Sequence, residues 1–128
     1  MDLKNYVPST DNVDVVLKIK DKPLKNEDGS DMTITVMSPY SKEYKKILHK
    51  LSNDRIKKQK ENEDADMADF EEFALDVLVE TTVGWNITWD AKTPEFNKEL
   101  AREIYENAFW IKILVRDEQN KLVDFTVP

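Results

Sequence analysis

Residues 13–37 read VDVVLKIKDKPLKNEDGSDMTITVM, and this stretch decides how the fold begins. Its first part has apolar side chains at alternate positions, the period of a strand with one buried face: Val13, Val15, Leu17 and Ile19. The same alternation returns in Met32, Ile34 and Val36. Between the two parts, residues 21–30 contain Pro23 and Gly29, and the glycine is free to adopt the positive φ of a turn. We therefore predict an antiparallel β-hairpin over 13–37, preceded by a flexible arm over 1–12.

Residues 38–82 carry the signals of two helices. Ser38 and Pro39 form a typical helix start, with serine as the N-cap and proline in the first turn. Apolar residues then recur at helical spacing, and the first set is Tyr44, Ile47, Leu48 and Leu51. The acidic run 61–66 indicates a helix–helix connection, because acidic residues suit the N-terminus of the helix that follows. A second apolar stripe predicts that helix and contains Phe70, Phe73, Ala74, Val77, Leu78 and Thr81.

The link between the second and third helices is predicted over residues 83–92. Gly84 is expected to end the second helix, and the residues after it read as extended or irregular chain. Thr93 and Pro94 then repeat the cap-plus-proline start signal. One face of the third helix is apolar and contains Phe96, Leu100, Ile104 and Ala108.

The last segment, residues 109–125, is amphipathic and is predicted as the fourth helix. Its run Phe109–Val115 is apolar and partly β-branched, so a strand is the alternative there. With residues 93–125 as two C-terminal helices, the predicted class is α+β, an N-terminal antiparallel β-hairpin followed by a small bundle of about four helices. A length of 128 residues predicts a single domain.

Composition and charge exclude several kinds of ligand and location. A net charge of −7 opposes a phosphate backbone, so no nucleic acid is expected as a partner. Zero cysteines leave no disulfide and no thiolate metal ligand. The longest mainly apolar run, Ala108–Val115, is far shorter than the ~20 residues of a membrane span, so no membrane partner is expected. Residues 1–6 lack the apolar core of a secretion signal, so no signal peptide is predicted there.

Residues with catalytic or metal-binding chemistry form no recognisable pattern. His49 is the only histidine, so no second histidine or cysteine can share a metal with it or complete a nucleophilic set. Gly29 and Gly84 are the only glycines, which is too few for a phosphate-binding loop. The acidic run 61–66 lacks the glycine and closing glutamate of a calcium loop. We predict no enzymatic activity, metal or cofactor. The enzymatic alternative is a glycosidase-like carboxylate pair, which requires a cleft and raised carboxyl pKa values.

Two sets of side chains are candidates for contact with a partner. Lysines run along the first helix, and those assigned to a partner are Lys45, Lys46, Lys50 and Lys57. A solvated helix face is the ordinary interpretation of such a run, and an acidic protein segment is the favoured ligand if the face is functional. The second set is aromatic and contains Trp89, Phe96, Phe109 and Trp110. Tryptophans ordinarily pack in a core but are enriched at interfaces, and Trp89 in the link is the main interface candidate.

The order of these elements resembles the tail assembly chaperones of long-tailed bacteriophages. Four stretches carry the resemblance, namely MTITVMSPYSKEY (32–44), TVGW (82–85), PEFNKELA (94–101) and YENAFWI (105–111). Each stretch is common on its own, and it is their order across residues 13–125 that resembles the family. Ala108 stands where the family often has proline.

The resemblance implies a non-enzymatic protein made in the host cell cytoplasm, which coats the phage tape-measure protein and helps to recruit tail-tube subunits. Self-association is a further expected contact. The expected mechanism is helix-in-groove packing, with a charged rim from the lysines of 45–60 and apolar contacts from Trp89, Phe96, Phe109 and Trp110. The alternative is a structural subunit of the virion, such as a tail completion or neck component.

Overall fold

The computed structural model of the protein describes residues 2–61 and 67–121. In chain order, these residues form a 3₁₀ helix (Leu3–Tyr6), β1 (Val13–Val16), β2 (Lys18–Ile19), β3 (Lys22–Pro23), β4 (Thr33–Val36), α1 (Lys42–Glu61), α2 (Met67–Thr81), β5 (Thr82–Asn86), α3 (Lys98–Asn107) and α4 (Phe109–Gln119). The predicted α+β class is confirmed, with an antiparallel hairpin followed by four α-helices among the described residues. The predicted connection beyond residue 61 and the predicted end of the last helix at 122–125 lie outside them.

A three-stranded antiparallel sheet in the order β1–β4–β5 forms the centre of the fold. β1 pairs with β4 so that Val15 lies opposite Ile34, which confirms the predicted hairpin. β5 pairs with the other side of β4, where Ile34 lies opposite Trp85. The sequence predicted an extended or irregular link here. The first part of that link is instead a strand, because it pairs with the backbone hydrogen-bonding groups on the second edge of β4.

The predicted turn between the hairpin strands contains a second, smaller hairpin, in which β2 and β3 pair antiparallel. The chain reverses at Lys20 and Asp21, whose φ angles of 52° and 65° suit a two-residue type I′ turn. Gly29 further along has a φ of 89°, the positive angle for which glycine is suited. The single strand predicted over 13–20 is therefore two short strands, separated by the buried Leu17.

The predicted start of the first helix at residues 38–39 is wrong, because Ser38 has another role. Its buried hydroxyl donates a hydrogen bond of 2.8 Å to the carbonyl oxygen of Ser9. α1 begins after Ser41, whose hydroxyl accepts from the backbone N–H of Tyr44 at 3.2 Å. Ser38 thus ties the predicted N-terminal arm to the body of the protein, and Ser41 is the helix N-cap.

The predicted start of the third helix at residues 93–94 is wrong for a similar reason. The N-cap of α3 is Asn97, whose side-chain oxygen accepts from the N–H of Leu100 at 2.8 Å. Pro94 precedes the helix, and its carbonyl oxygen accepts from the indole nitrogen of Trp85 at 2.9 Å. The last segment is helical, as predicted, and the alternative of a strand there is wrong.

The core lies between one face of the sheet and the helices. α4 packs on α3, β1 and β4, while α2 packs on α1, α3 and β5. The buried apolar side chains come from both layers, and they are Val15, Leu17, Ile34, Val36, Leu75, Leu78, Val79, Ile87, Ala101, Ile104, Tyr105, Ile111 and Val115. The other face of the sheet is polar, since the Thr35 hydroxyl there donates to the Asp14 carboxylate at 2.5 Å. One buried and one polar face is common in antiparallel sheets.

Lys98 fixes the start of α3 against the junction of α2 and β5. Its ammonium nitrogen donates to the carbonyl oxygens of Val79 at 3.3 Å, Glu80 at 2.8 Å and Thr82 at 2.7 Å. The last carbonyls of a helix have no partner within the helix, so this lysine acts as a cap supplied by another element. Burial lowers the pKa of Lys98, and the nearby Glu80 carboxylate partly opposes that effect.

Substitution of Gly84 tests whether this residue lies in β5, the third strand of the β1–β4–β5 sheet. The sequence predicted that it ends a helix, and this is wrong, because Gly84 lies in β5 opposite Thr35. Its φ is not positive, and no heavy atom lies within 4 Å of the place a Cβ would occupy. We expect Gly84→Ala to keep the free energy of unfolding or raise it by up to about 1 kcal/mol, since alanine loses less backbone entropy on folding.

Gly29→Ala is the matched control for this prediction. A Cβ at Gly29 would be equally uncrowded, but the φ of 89° disfavours any L residue. We expect this variant to lose about 1 kcal/mol. Urea denaturation followed by circular dichroism measures both changes. A larger loss at Gly84 than at Gly29 would contradict the place of Gly84 in a strand.

Candidate partner-binding surfaces

The eight side chains that the sequence assigned to a partner lie on three different parts of the structure. Lys45, Lys46, Lys50 and Lys57 are exposed on α1. Trp89 and Phe96 lie on the chain between β5 and α3, and Phe109 and Trp110 begin α4. α1 has its main contacts with α2, whereas α4 contacts α3 and the sheet. The structure therefore does not bring the lysines and the α4 aromatic residues into one continuous helix–helix surface.

The lysine face, defined as Lys45, Lys46, Lys50 and Lys57, flanks an apolar stripe that α2 covers only in part. Four stripe residues, Tyr44, Ile47, Leu48 and Leu51, are half-buried, and no side chain over 42–58 is fully buried. Burial nevertheless suffices to raise the pKa of the Tyr44 phenol. Residues 42–58 contain six lysines and one arginine but only two carboxylates, in a chain whose net charge is −7. The helix is thus a basic, half-covered element of an acidic protein.

Trp89 and Phe96 are half-buried and pack against the core. Trp89 opens a tight turn in which its N–H donates to Lys92 O at 2.8 Å and its carbonyl accepts from Lys92 N–H at 3.1 Å. The ring of Phe96 meets the ring of Trp85 edge to face, with centroids 4.9 Å apart and an interplanar angle of 80°. Such a pair adds stability beyond the area it buries. Only the solvent-exposed part of the Trp89 and Phe96 side chains is accessible to a partner.

The aromatic corner, defined as Phe109 and Trp110, lies where α3 turns into α4. Phe109 is 64% exposed and Trp110 40% exposed. The ammonium nitrogen of Lys112 lies 5.4 Å from the centroid of the Phe109 ring, a weak cation–π distance. Large apolar side chains that stay exposed at a helix start are candidates for contact with another protein. The structure therefore keeps both residues accessible, as a partner-binding role requires.

A fourth set of side chains, which the sequence did not single out, lies where the C-terminal half of α1 meets the N-terminal half of α2. We call it the α1–α2 tip and define it as Arg55, Ile56, Phe70 and Phe73. Ile56 is 51% exposed and Phe70 is 53% exposed, although the apolar stripe of the second helix predicted burial for Phe70. One signal was present in the sequence, because Arg55 follows Tyr44, Leu48 and Leu51 at helical spacing and so occupies the apolar side of a lysine-rich helix.

The described residues hold no group of side chains that would bind a metal ion. They contain no cluster of three or more histidine, cysteine, aspartate or glutamate side chains placed to hold a metal ion. His49, the only histidine, is exposed on α1. A small surface pocket between the N-terminal segment and the end of α4 is lined by Pro8, Ser9, Asp11, Val13, Ser38, Pro39, Tyr40, Gln119 and Lys121. Its serines have no histidine beside them to act as a base.

The helices over 2–61 and 67–121 include none with the length and apolar character needed to span a bilayer. Comparison of the chain with known proteins finds no match among family models, curated proteins or solved structures. What the protein does is therefore inferred from its sequence pattern and from the surfaces described above.

Proposed function

We propose that the protein is a non-enzymatic tail assembly chaperone, which binds the tape-measure protein of a long-tailed phage in the host cytoplasm and helps to recruit tail-tube subunits. The observation that carries the proposal is α1, a helix of 20 residues whose apolar stripe is only half-covered by α2 and is flanked by exposed lysines. The ordered sequence pattern that resembles this family supports the same conclusion.

The half-covered stripe has a direct physical use in such a role. A tape-measure chain is long and helical, and before the tube encloses it, its apolar stripe is open to aggregation. Helix-in-groove packing covers that stripe with apolar anchors inside a charged rim. On α1 the half-buried Tyr44, Leu48 and Leu51 provide the anchors, and the lysine face provides the rim. Many weakly bound copies on one chain give high avidity, while each copy still dissociates easily.

The aromatic corner supplies a second contact in this proposal. It lies on α4, whereas the lysine face lies on α1, and these helices pack on different neighbours. One copy can then touch two segments of the tape-measure chain, or that chain and a tube subunit. Trp89 and Phe96 support these contacts from the body of the protein, because both are anchored against the core.

Co-expression with the tape-measure protein tests the proposal. The quadruple variant Lys45→Glu, Lys46→Glu, Lys50→Glu and Lys57→Glu reverses the charge of the lysine face. We expect the soluble fraction of the tape-measure protein to fall at least about fivefold, because the rim then repels an acidic partner and loses its steering. The fraction is measured by quantitative immunoblotting of soluble and pelleted material.

A matched control makes the same change of charge elsewhere. Exposed lysines away from the lysine face are Lys18, Lys20, Lys22 and Lys92, and their change to glutamate should leave the soluble fraction unchanged. Equal loss in both quadruple variants would show that net charge, not the α1 surface, is responsible. Mass spectrometry of purified virions addresses the structural-subunit alternative. Stoichiometric amounts of this protein in the particle would exclude an assembly chaperone.

A further inference from the structure

Charges of opposite sign are concentrated on different helices of the protein. Residues 42–58 of α1 contain seven basic side chains and only two carboxylates, Glu43 and Asp54. Residues 67–107, which include α2 and α3, contain ten carboxylates and three basic side chains. α2 packs on both α1 and α3, which have no comparable contact with each other. The basic helix and the acidic α3 therefore lie on either side of α2.

Three lysines of α1 form a row on the side of the helix away from α2. Lys42, Lys46 and Lys50 are exposed and follow one another at intervals of four residues, so they lie one above the other, about 6 Å apart along the helix. The half-buried Leu48 and Leu51 belong to the stripe that α2 covers in part, and they lie on the other side. We call the three lysines the lysine row, and it is open to solvent along its length.

Three glutamates form a similar row on the solvent side of α3. Glu99, Glu103 and Glu106 are exposed and follow one another at intervals of four and three residues, which places them on one line of the helix. We call them the carboxylate row. Glu106 lies 3.8 Å from Arg102, so its charge is compensated in part. Glu99 and Glu103 form no ion pair with any residue that the structure describes.

The two basic side chains of α3 are directed towards α2, and therefore they leave Glu99 and Glu103 uncompensated. Arg102 forms an ion pair and a hydrogen bond with Asp76 of α2. Lys98 donates to the backbone carbonyl oxygens at the junction of α2 and β5. The outer side of α3 thus keeps its negative charge.

The two rows match in sign and in spacing. Lys46 and Lys50 are four residues apart, as are Glu99 and Glu103, so both pairs of charges are separated by about 6 Å along their helices. Two ion pairs can therefore form at once when α1 of one copy lies beside α3 of another. Such a contact leaves one free row of each sign at the two ends of the pair. Further copies can then add in the same way, which gives a ring or an open chain.

We propose that the protein associates with itself head to tail, through the lysine row of one copy and the carboxylate row of the next. The inference goes beyond the proposed function, because it requires no other protein. A single exposed ion pair contributes little, so the association is weak, reversible and suppressed by salt. Lys46 and Lys50 belong also to the lysine face, so a neighbouring copy and the tape-measure protein compete for that part of α1.

Sedimentation equilibrium of the full chain tests the inference. One copy has a mass of 15.0 kDa. At about 50 mM salt we expect the weight-average mass to rise with concentration and to reach at least about twice this value near 1 mM protein. At about 0.5 M salt the mass should fall back towards that of one copy. A mass of 15.0 kDa at every concentration in low salt would overturn the inference.

Two double variants test which surfaces meet. Lys46→Glu with Lys50→Glu makes both rows mainly acidic, and Glu99→Lys with Glu103→Lys makes both rows mainly basic. We expect each variant alone to associate at least about tenfold more weakly than the unaltered chain, because the facing charges then repel. In an equal mixture each variant presents the rows that the other lacks, so association should return. Unchanged association of either variant alone, or no recovery in the mixture, would overturn the inference.

Matched controls make the same changes of charge outside both rows. Lys18→Glu with Lys22→Glu, and Glu27→Lys with Asp117→Lys, alter exposed side chains of other elements. Neither control should change the association of the chain. Circular dichroism and urea midpoints verify that every variant is folded. Equal loss in the controls would show that net charge is responsible, and the contact between the rows would be rejected.

The two proposals fail in different ways. Glu99→Lys with Glu103→Lys leaves the lysine face and the aromatic corner unaltered, so it should still keep the tape-measure protein soluble. If the unaltered chain stays monomeric but keeps the tape-measure protein soluble, self-association is rejected and the function is retained. If the mixed variants associate but the unaltered chain leaves the tape-measure protein insoluble, the function is rejected and the head-to-tail contact is retained.

Discussion

Ile34→Ala is expected to lower the free energy of unfolding by about 2–5 kcal/mol. Ile34 is 1% exposed and lies on β4, the central strand of the sheet. It is opposite the buried Val15 on one side and Trp85 on the other. The substitution removes apolar contacts from both pairings and leaves a cavity that a central strand cannot close by moving. For a domain of this size the loss is a large part of a total stability of about 5–15 kcal/mol.

Urea denaturation followed by tryptophan fluorescence measures this loss, since Trp85 pairs directly with Ile34. Ile19→Ala is the matched control, because it deletes the same atoms from a side chain that is 48% exposed on β2. Its effect should stay within about 0.5 kcal/mol. Similar losses in the two variants would contradict the central position of β4.

Tyr105→Phe is expected to lower the stability of the protein at pH 7 and to raise it at high pH. Tyr105 is 1% exposed, and its hydroxyl lies 2.8 Å from that of Thr82. Burial raises the pKa of Tyr105 to about 12, and the hydrogen bond with Thr82 partly opposes that effect. At pH 7 the variant lacks one buried hydrogen bond, and it should be less stable by about 1 kcal/mol.

Above pH 10 the unfolded chain ionises this tyrosine, while the folded protein keeps it neutral. The stabilising effect of the raised pKa is complete below pH 10, the ordinary tyrosine value, and is lost as the pH rises towards 12. Each pKa unit corresponds to about 1.4 kcal/mol, so the unaltered protein loses roughly 2 kcal/mol across this range. Tyr105→Phe has no hydroxyl at this position to ionise and does not lose this stability. It should therefore become more stable than the unaltered protein before pH 12.

Urea midpoints at pH 7, 10 and about 11.5 test this reversal. Tyr40→Phe is the control, because it removes a hydroxyl from a side chain that is 39% exposed, and its urea midpoint should stay close to that of the unaltered protein. A constant difference between Tyr105→Phe and the unaltered protein across the whole range would show that Tyr105 is not held neutral by its surroundings.

The elements that the sequence predicted correctly are those whose signal is local and periodic. Alternation at Val13–Val16 and Thr33–Val36 identified the two strands that pair, and helical spacing identified the regions of α1, α2, α3 and α4. β5 was predicted only as a link, because TVGWN does not alternate and its extended state depends on pairing with β4. Strand propensity is decided largely by such tertiary neighbours.

Helix starts were misplaced where two capping signals compete. Ser38 and Ser41 are equally good N-caps by residue type, and the hydrogen bond from Ser38 to Ser9 decides between them. That bond joins residues 29 positions apart, which a local pattern cannot indicate. Likewise, Asn97 caps α3 although Thr93 and Pro94 form the stronger local signal.

The candidate site could be predicted only in part. The lysine face could be predicted because the spacing of charged residues along a helix is given directly by the sequence. The exposure of Phe70 was not, since an apolar stripe does not show where the neighbouring helix stops covering it. The pairing of Arg55 with Phe70 and Phe73 joins two helices across the α1–α2 contact, and it emerges only once that contact is known.

Basic residues outnumber acidic residues over 42–58 of α1, although the chain as a whole is acidic. One helix presents a positive potential, while the chain as a whole carries −7. An approaching acidic chain is therefore rotated towards α1 before any contact forms, and like-charged copies repel one another when they meet through their acidic surfaces. Such steering extends over a Debye length of about 8 Å at physiological ionic strength and weakens as salt is added. The charge distribution thus sets the speed and orientation of encounter separately from the strength of the final contact.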